Sequence, residues 1–328
     1  MMKLIRMTTV AVCSLFRNSA ATLAYYRAAL VAQARPGLEL VFSFIEGDSS
    51  DGTWAELQRW AREDPRVILS KLDVEPLRDF DERIRQWARL GNACVEQLAG
   101  RQVDFVLWCE SDLALPPDLV AQLVKATEEP GVSIVAPAIF LGGMFYDTWG
   151  FRDLAGKRFE NAAPFHPAFP PHGLMELASV GSCVLFPRAL FDAGVRFRGE
   201  HENGLLVGVC NDARARGLRV WMDARVCVVH PTSLWKRQQY TLAEVEVACG
   251  DSRFTTRWDA LARELEAELA LELGAINLPG DHPVFADVHA RIAQRVPRRK
   301  YTLSARLVSE AEKRYALVIA DQGAAVSA

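Results

Sequence analysis

Short apolar runs alternate with amphipathic stretches along residues 8–229. The apolar runs are rich in β-branched and aromatic residues, which is typical of strands buried on both faces of a sheet. The stretches between them follow a helical period. We predict strands over residues 8–15, 38–45, 66–72, 103–109, 132–139, 180–186 and 219–229, and helices over residues 20–33, 54–62, 81–98, 117–127 and 204–216.

This alternation predicts an α/β fold, with a mainly parallel sheet and helices on both faces. The pattern breaks over residues 141–175, where Gly, Pro, Phe and His dominate and a long functional or irregular loop is indicated. After Trp235 the composition shifts, and a Glu/Ala/Leu-rich helix is predicted over residues 257–273. We therefore expect a main α/β domain over residues 1–235 and a helical C-terminal extension over residues 236–328.

Composition narrows the class of protein. Half of the 328 residues are hydrophobic (50%), which provides a sizeable core and excludes general disorder. The net charge of -3 gives no basis for binding nucleic acid. The 7 cysteines include no C-x-x-C pair, which argues against a disulfide framework or a structural zinc site and indicates a reducing, cytoplasmic compartment.

The first apolar run follows Lys3 and Arg6 and faintly resembles a signal peptide. The run is short and has no convincing cleavage site, so we interpret it as the first buried strand. No later stretch approaches the roughly 20 apolar residues of a membrane helix, and we expect no membrane span.

Polar clusters follow the first, second and fourth predicted strands, at residues 14–18, 46–51 and 110–112. Ligands of open α/β sheets bind at the carboxyl ends of the strands. Three polar clusters at corresponding strand ends therefore predict one shared site.

The fourth strand ends in the acidic pair Glu110 and Asp112, separated by Ser111. Side chains two residues apart on a strand point the same way, so both carboxylates are expected to face one pocket. Hard oxygen ligands suit Mg²⁺ or Mn²⁺, which would bridge phosphates as a Lewis acid. His230 ends the last strand and is either a third ligand through a neutral imidazole or a structural histidine. The alternative for the acidic pair is two solvated turn carboxylates.

The second cluster offers Glu46 and Asp48 as acceptors for a base or a ribose, whereas Ser50, Asp51 and Thr53 favour turn formation and helix capping. On the helix before the acidic strand, Arg89 is a candidate for bidentate phosphate binding. Arg85 one turn earlier lies either on the same face or on a solvated one.

Two further groups are candidates for contact with a substrate. Glu200 and Glu202 flank His201, and either is a candidate general base, Glu202 being preferred, or an exposed loop charge. Tyr146, Asp147 and Trp149 in the irregular loop are candidates for contact with the sugar, because aromatic planes suit sugar faces, although such residues also simply anchor loops.

Several segments together resemble GT-A glycosyltransferases. Residues 14–18 (SLFRN) resemble the first-strand signature of family 2 enzymes, and residues 48–53 (DSSDGT) resemble their second-strand acidic turn. Residues 88–92 (ARLGN), followed by 105–112 (FVLWCESD), resemble the approach to the DxD motif. Tyr146-Asp147 with Trp149, and Val180-Gly181 before a strand, are similar to fungal mannan-polymerase-type mannosyltransferases, and residues 218–230 resemble the end of either catalytic domain.

The resemblance covers residues 8–232 and implies a Rossmann-like GT-A fold in which residues 1–235 form the nucleotide-sugar-binding catalytic domain. It implies a GDP- or UDP-sugar donor, a hydroxyl acceptor on a glycan, a lipid-linked glycan or a protein, and Mn²⁺ or Mg²⁺ at the DxD position. Glu110 stands where Asp is usual in that motif. Family 2 enzymes invert and the fungal enzymes retain, so the stereochemistry stays open. The implied donor-binding residues are Ser14, Arg17, Asn18, Glu46, Asp48, Arg89, Ser111, Tyr146 and Trp149; the catalytic residues are Glu202, Glu200 and Asp112; and the metal ligands are Asp112, Glu110 and His230.

Other functions remain open at this stage. Gly47-Asp48-Ser49 resembles the start of a GDS-type serine esterase, but Asp287-Val288-His289 has the wrong spacing for its late Asp-x-x-His. A nucleotidyltransferase would carry a Gly-rich basic loop after the first strand, which residues 14–18 are not. A degenerate, non-catalytic protein that binds a nucleotide is a further alternative. The C-terminal helices are expected to cap the site, recruit the acceptor or form a homo-oligomer.

Overall fold

The structure is a computed structural model of the chain. It describes residues 7–74, 80–141, 144–170, 172–200, 204–230, 239–268, 270–272, 283–297, 299–309 and 314–324. The chain divides into two compact units, an N-terminal unit Met1–His230 and a C-terminal unit Pro231–Ala328.

The N-terminal unit alternates strands and helices as its apolar pattern predicts. Each predicted strand and helix before residue 141 is present, with ends that differ by a few residues. The strands are β1 (Thr8–Phe16), β2 (Leu38–Glu46), β3 (Val67–Lys71), β4 (Phe105–Cys109), β5 (Ile134–Leu141), β6 (Met144–Phe145), β7 (Leu174–Leu177), β8 (Cys183–Pro187) and β9 (Val220–Val229). The helices are α1 (Ala20–Val31), α2 (Thr53–Glu63), α3 (Phe80–Glu96), α4 (Leu119–Ala126), α5 (Arg188–Asp192) and α6 (Leu205–Ala215).

These strands form one sheet in the order β3-β2-β1-β4-β8-β5-β9-β7, with β6 paired to β5. The pairs β3–β2, β2–β1, β1–β4 and β5–β9 are parallel. The strand β8 runs antiparallel to both β4 and β5, and β7 runs antiparallel to β9. The predicted mainly parallel α/β fold is therefore confirmed.

The parallel register brings the polar strand ends to one edge of the sheet. Phe16 at the end of β1 is paired with Glu46 at the end of β2, and Cys13 is paired with Trp108 near the end of β4. Beneath this edge the ring of Phe16 lies 5.0 Å from the ring of Phe44 and is fully buried. Burying one such side chain stabilises the fold by about 1.5–3 kcal/mol, which fixes the strand ends against each other.

The irregular stretch predicted over residues 141–175 contains few regular elements but has its own core. Phe145 is fully buried; its ring packs edge-on against Phe151 with centroids 5.0 Å apart and in a tilted arrangement against Phe159 with centroids 4.9 Å apart. Phe165 and Phe169 extend this ring cluster. Aromatic packing thus holds a loop that makes little use of backbone ladders.

The C-terminal unit differs from the helical extension that the sequence predicted. It contains the helices α7 (Ser252–Glu268) and α8 (Pro283–Arg295), and also the strands β10 (Gln239–Ala248), β11 (Ala270–Glu272), β12 (Arg299–Ser309) and β13 (Arg314–Ala324). These strands pair in the order β11-β10-β13-β12. The alternation of apolar and polar residues in β10 and β12 is a strand pattern that the helix-rich composition around it concealed.

The core of the C-terminal unit lies between its helices and its sheet. Trp258 and Leu261 of α7 and Ile292 of α8 are fully buried with Leu317 of β13. The indole N–H of Trp258 donates a hydrogen bond to Asp321 at 3.0 Å. Among the described residues, no helix has the length and apolar character needed to cross a membrane.

Candidate active site

The ends of β4 and β9 meet at the polar edge of the sheet. A pair of backbone hydrogen bonds joins Ala114 and Val229, with N···O distances of 2.8 and 3.2 Å. This bridge brings His230 next to the turn that carries Glu110 and Asp112. One ligand atom from each of these three side chains lies within 4.8 Å of the other two. The structure therefore brings together, from separate segments of the chain, the three residues that the sequence offered as candidate metal ligands.

The donor set fits a hard divalent cation. Nε2 of His230 lies 3.5 Å from Oδ2 of Asp112, and the imidazole side chain is only 7% exposed. Neither ring nitrogen of His230 makes a hydrogen bond within the described part of the chain. A buried polar atom without a partner is costly, and coordination by an imidazole nitrogen would satisfy it. Two carboxylates and one imidazole are an ordinary ligand set for Mn²⁺.

Tyr146 covers the imidazole of His230. The two rings are stacked with centroids 4.0 Å apart and an angle of 27° between their planes. Burial raises the pKa of Tyr146 well above its usual value, and the negative charges of Glu110, Asp147 and Asp112 raise it further. The phenol therefore stays neutral and lies beside the acidic pair.

Asp147 follows Tyr146 with a positive φ of 60° and turns its carboxylate into the protein. Ser182 donates its hydroxyl hydrogen to Oδ2 at 2.8 Å, and the backbone N–H of Gly150 donates to Oδ1 at 2.9 Å. Burial raises the pKa of Asp147 to about 6, although these two hydrogen bonds act to lower it. The backbone carbonyl of Ser182 accepts a hydrogen bond from the N–H of Glu110 at 3.0 Å. Asp147 thus connects the irregular loop to the backbone of a candidate metal ligand.

The turns after β1 and β2 are joined by Asn18. Its Oδ1 accepts the N–H of Ser50 at 2.9 Å, and its backbone N–H donates to the hydroxyl of Ser49 at 2.9 Å. Glu46 is fully buried and accepts the N–H of Ser49 at 2.5 Å. The Ser49 hydroxyl is therefore engaged with a backbone amide, and no histidine bonds to it among the described residues.

Lys71 at the end of β3 links the two acidic candidates of the second cluster. Its Nζ lies 3.3 Å from Oδ1 of Asp48 and 3.9 Å from Oε2 of Glu46. Asp48 is half exposed and has a positive φ of 59°. Lys71 was not among the predicted site residues, because a single lysine at a strand end carries no signal of its own in the sequence.

Three predicted donor-binding residues make contacts within the protein instead. Ser14 is fully buried and shares a 2.7 Å hydrogen bond with the hydroxyl of Tyr26, so its hydroxyl is not open to a ligand. Ser111 donates to the carbonyl of Leu15 at 2.7 Å and thereby fixes the end of β4 to the end of β1. Arg89 is exposed and bonds to Gln86 and to the backbone carbonyl of Asp73.

Three further candidates, Arg17, Trp149 and Glu200, are exposed or only partly buried. Arg17 is exposed after β1. Trp149 is partly buried, and the guanidinium of Arg152 lies 5.7 Å from its ring centroid. Glu200 is exposed, with Oε1 3.5 Å from the guanidinium of Arg198. Glu202 lies outside the described residues, so the preferred base stays a prediction.

The sequence predicted Asp147 only as a sugar contact, whereas the structure directs its carboxylate to Ser182 and Gly150. The available signal was the pair of glycines Gly150 and Gly181, because only glycine leaves room for this carboxylate. The hydrogen bond from Ser182 to Asp147 joins the irregular loop to the residue before β8, and no local sequence pattern encodes this contact.

The family model described as Glycosyl transferase family 2 matches residues 11–192, more than half of the 328 residues. These residues extend from the fourth residue of β1 past the end of β8 and include Glu110, Asp112 and Tyr146. No curated protein sequence matches the chain significantly.

Solved structures share the fold at low sequence identity. GalNAc-T7, solved with UDP, GalNAc and Mn²⁺, has a TM-score of 0.51 and 12% identity, over 69% of this chain and 43% of that chain. The chain thus spans less than half of that protein. The mannosyltransferase PcManGT from Pyrobaculum calidifontis, solved with GDP-Man and Mn²⁺, has 18% identity and a TM-score of 0.47, over 88% of this chain and 69% of that chain. S. aureus TarS, solved with UDP-GlcNAc, has 12% identity and a TM-score of 0.47, over 88% of this chain and 73% of that chain.

Proposed function

Because the chain belongs to glycosyl transferase family 2 and is a glycosyltransferase, we propose that it moves a sugar from a GDP- or UDP-sugar to a hydroxyl acceptor with the help of Mn²⁺ or Mg²⁺. The observation that carries the proposal is the convergence of Glu110, Asp112 and His230 at the carboxyl edge of the sheet. This is the edge at which α/β sheets bind nucleotides.

In this proposal the three side chains hold the cation, which supplies positive charge for the diphosphate leaving group. Burial of His230 beneath Tyr146 keeps water away from one side of the ligand set. An acidic cluster with a cation suits a diphosphate, whereas the carboxylates alone would repel it. Asp112 is assigned the central role because its carboxylate approaches both Glu110 and His230.

The neighbouring turns are proposed to bind the nucleoside. Asn18 orders both turns, and Glu46 and Asp48 provide acceptors with Lys71 beside them. The exposed Arg17 is available for the phosphates, as is Arg89 after a change of rotamer. PcManGT and TarS, whose structures contain GDP-Man and UDP-GlcNAc, support a GDP- or UDP-sugar as the donor to be tested first.

The acceptor side is assigned to the segment between α5 and α6. Glu202 is proposed as the general base, with Glu200 as the second candidate. Trp149 at the irregular loop is proposed to contact the sugar through its ring. The cysteines of the chain are free thiols, which supports a cytoplasmic location. The role of the C-terminal unit in capping, acceptor binding or self-association stays a prediction.

A thermal-shift screen tests the proposal. The protein is heated with UDP-, GDP- and CMP-sugars, each with and without Mn²⁺. A donor present at about 100 times its dissociation constant stabilises the folded state by roughly 2.7 kcal/mol, which gives a clear rise in Tm. We expect one nucleotide class to raise Tm only when Mn²⁺ is present. If every donor gives the same Tm with and without Mn²⁺, the metal-dependent mechanism is wrong.

A further inference from the structure

A histidine that binds a metal normally has its ring held by a hydrogen bond from the second ring nitrogen to a carboxylate or a backbone carbonyl. His230 has no such bond among the described residues, since both nitrogens lack a hydrogen-bond partner. Its ring is nevertheless buried, and Nε2 faces Oδ2 of Asp112 at 3.5 Å. Within the described part of the chain, the plane of the imidazole is therefore set by a different contact.

That contact is the ring of Tyr146, which lies 4.0 Å from the imidazole with only 27° between the planes. We propose that Tyr146 is a positioning residue for His230, and that this ring stack replaces the usual outer hydrogen bond. Rotation of the imidazole about its χ2 torsion would drive its edge into the tyrosine ring. The stack therefore keeps Nε2 directed toward Glu110 and Asp112. The inference rests on the proposed metal site and adds a residue to it.

The backbone holds both rings at the same place. The N–H of Tyr146 donates to the carbonyl of Ile139, and the N–H of His230 donates to the carbonyl of Phe140, each at 2.8 Å. The two stacked residues are thus hydrogen-bonded to consecutive residues of β5, although they lie 84 positions apart in the chain. The stack is built into the sheet and does not depend on a mobile side chain.

Asp147, the next residue in the chain, fixes the backbone beside the tyrosine. Its carboxylate accepts hydrogen bonds from Ser182 and Gly150, which locks the residue after Tyr146 in a positive-φ conformation. The phenol oxygen has no part in this arrangement of rings. The proposal therefore requires the aromatic ring of Tyr146 and does not require its hydroxyl group.

The test compares Tyr146→Phe, which keeps the ring, with Tyr146→Leu, which removes it. Mn²⁺ binding is measured without any donor, by the loss of the free-ion signal in electron paramagnetic resonance. We expect Tyr146→Leu to weaken Mn²⁺ binding roughly tenfold, the lower end for outer partners of metal ligands. Tyr146→Phe should bind like the wild type. Tyr301→Leu is the matched control, because it removes a comparable tyrosine–histidine ring contact, that of Tyr301 with His289 within the C-terminal unit, whose ring centroids are 5.6 Å apart.

A second readout needs no metal. The ring of Tyr146 should shift the carbon-bound proton resonances of His230 upfield, and these are assigned among the 6 histidines by comparison with His230→Ala. The shift should persist in Tyr146→Phe and vanish in Tyr146→Leu. If His230→Ala weakens Mn²⁺ binding but Tyr146→Leu does not, the positioning role is overturned and the metal site stands. If the wild type binds no Mn²⁺, both proposals are overturned.

Discussion

The carboxylate of Asp147 occupies the space that a side chain at Gly181 would need. A β-carbon added at Gly181 would lie well inside van der Waals contact with Oδ2 of Asp147, and one added at Gly150 would lie 2.8 Å from the same oxygen. The two glycines therefore form the walls of a slot for this side chain. The slot determines where Tyr146 stands and, through it, the orientation of His230.

The first prediction concerns this slot. Gly181→Ala should displace the Asp147 carboxylate and break its hydrogen bond with Ser182, at a cost of about 1–3 kcal/mol in the free energy of unfolding. Chemical denaturation followed by circular dichroism measures the change. Gly250→Ala is the control, because a β-carbon at Gly250 meets no atom within 4 Å. If the two variants are equally stable, the Asp147 carboxylate does not need the space at Gly181 and the prediction is wrong.

The second prediction concerns Asp112, the central residue of the proposed metal site. Asp112→Asn keeps the shape of the side chain but removes a charged oxygen, so transfer should fall by about 10²–10³-fold while the fold is kept. The rise of Tm with Mn²⁺ should also disappear. Asp118→Asn, at the start of α4, should show neither effect. Wild-type activity of Asp112→Asn in the presence of excess chelator would exclude the metal mechanism.

The third prediction separates the transferase from the serine esterase. The Ser49 hydroxyl accepts a backbone hydrogen bond from Asn18, which is worth about 0.5–1.5 kcal/mol. Ser49→Ala should therefore lower transfer by no more than about tenfold, because it loosens a turn and removes no reacting group. Kinetic assay of sugar transfer, beside hydrolysis of a simple phenyl ester, measures both activities. Loss of an ester hydrolysis present in the wild type would support the esterase.

The fourth prediction concerns the pH dependence of the C-terminal unit. Burial acts to raise the pKa of Asp321, but hydrogen bonds from Arg299 and Trp258 hold it well below the usual value. A carboxyl group with a lowered folded pKa stabilises the folded state above its unfolded pKa of about 3.9, and the contribution is lost as the pH falls below that value. Asp321→Asn should therefore be less stable than the wild type at pH 7, and the difference should shrink below about pH 4.

Thermal unfolding at a series of pH values checks this prediction. Asp259→Asn on α7 is the control, because Asp259 is exposed. Its difference from the wild type should stay small throughout. The difference in Tm between Asp321→Asn and the wild type should shrink at low pH. If this difference stays constant down to pH 3, the charge of Asp321 is not its cause.

The sequence by itself determined the α/β fold of the N-terminal unit, because buried parallel strands and amphipathic helices leave local periodic patterns. It also selected Glu110, Asp112 and His230, since each lies at the end of an apolar strand. It did not reveal the strands of the C-terminal unit, where a helix-rich composition concealed the alternation of β10 and β12.

Only the tertiary structure decided which candidates share the site. It placed Ser14 in the core against Tyr26 and stacked Tyr146 on His230, and it enclosed Asp147 between two glycines. These contacts join residues far apart in the chain. These contacts depend on strand register and on the path of the loops, which hydrophobic periodicity does not encode. The strand ends that carry the proposed metal ligands, in contrast, follow directly from that periodicity.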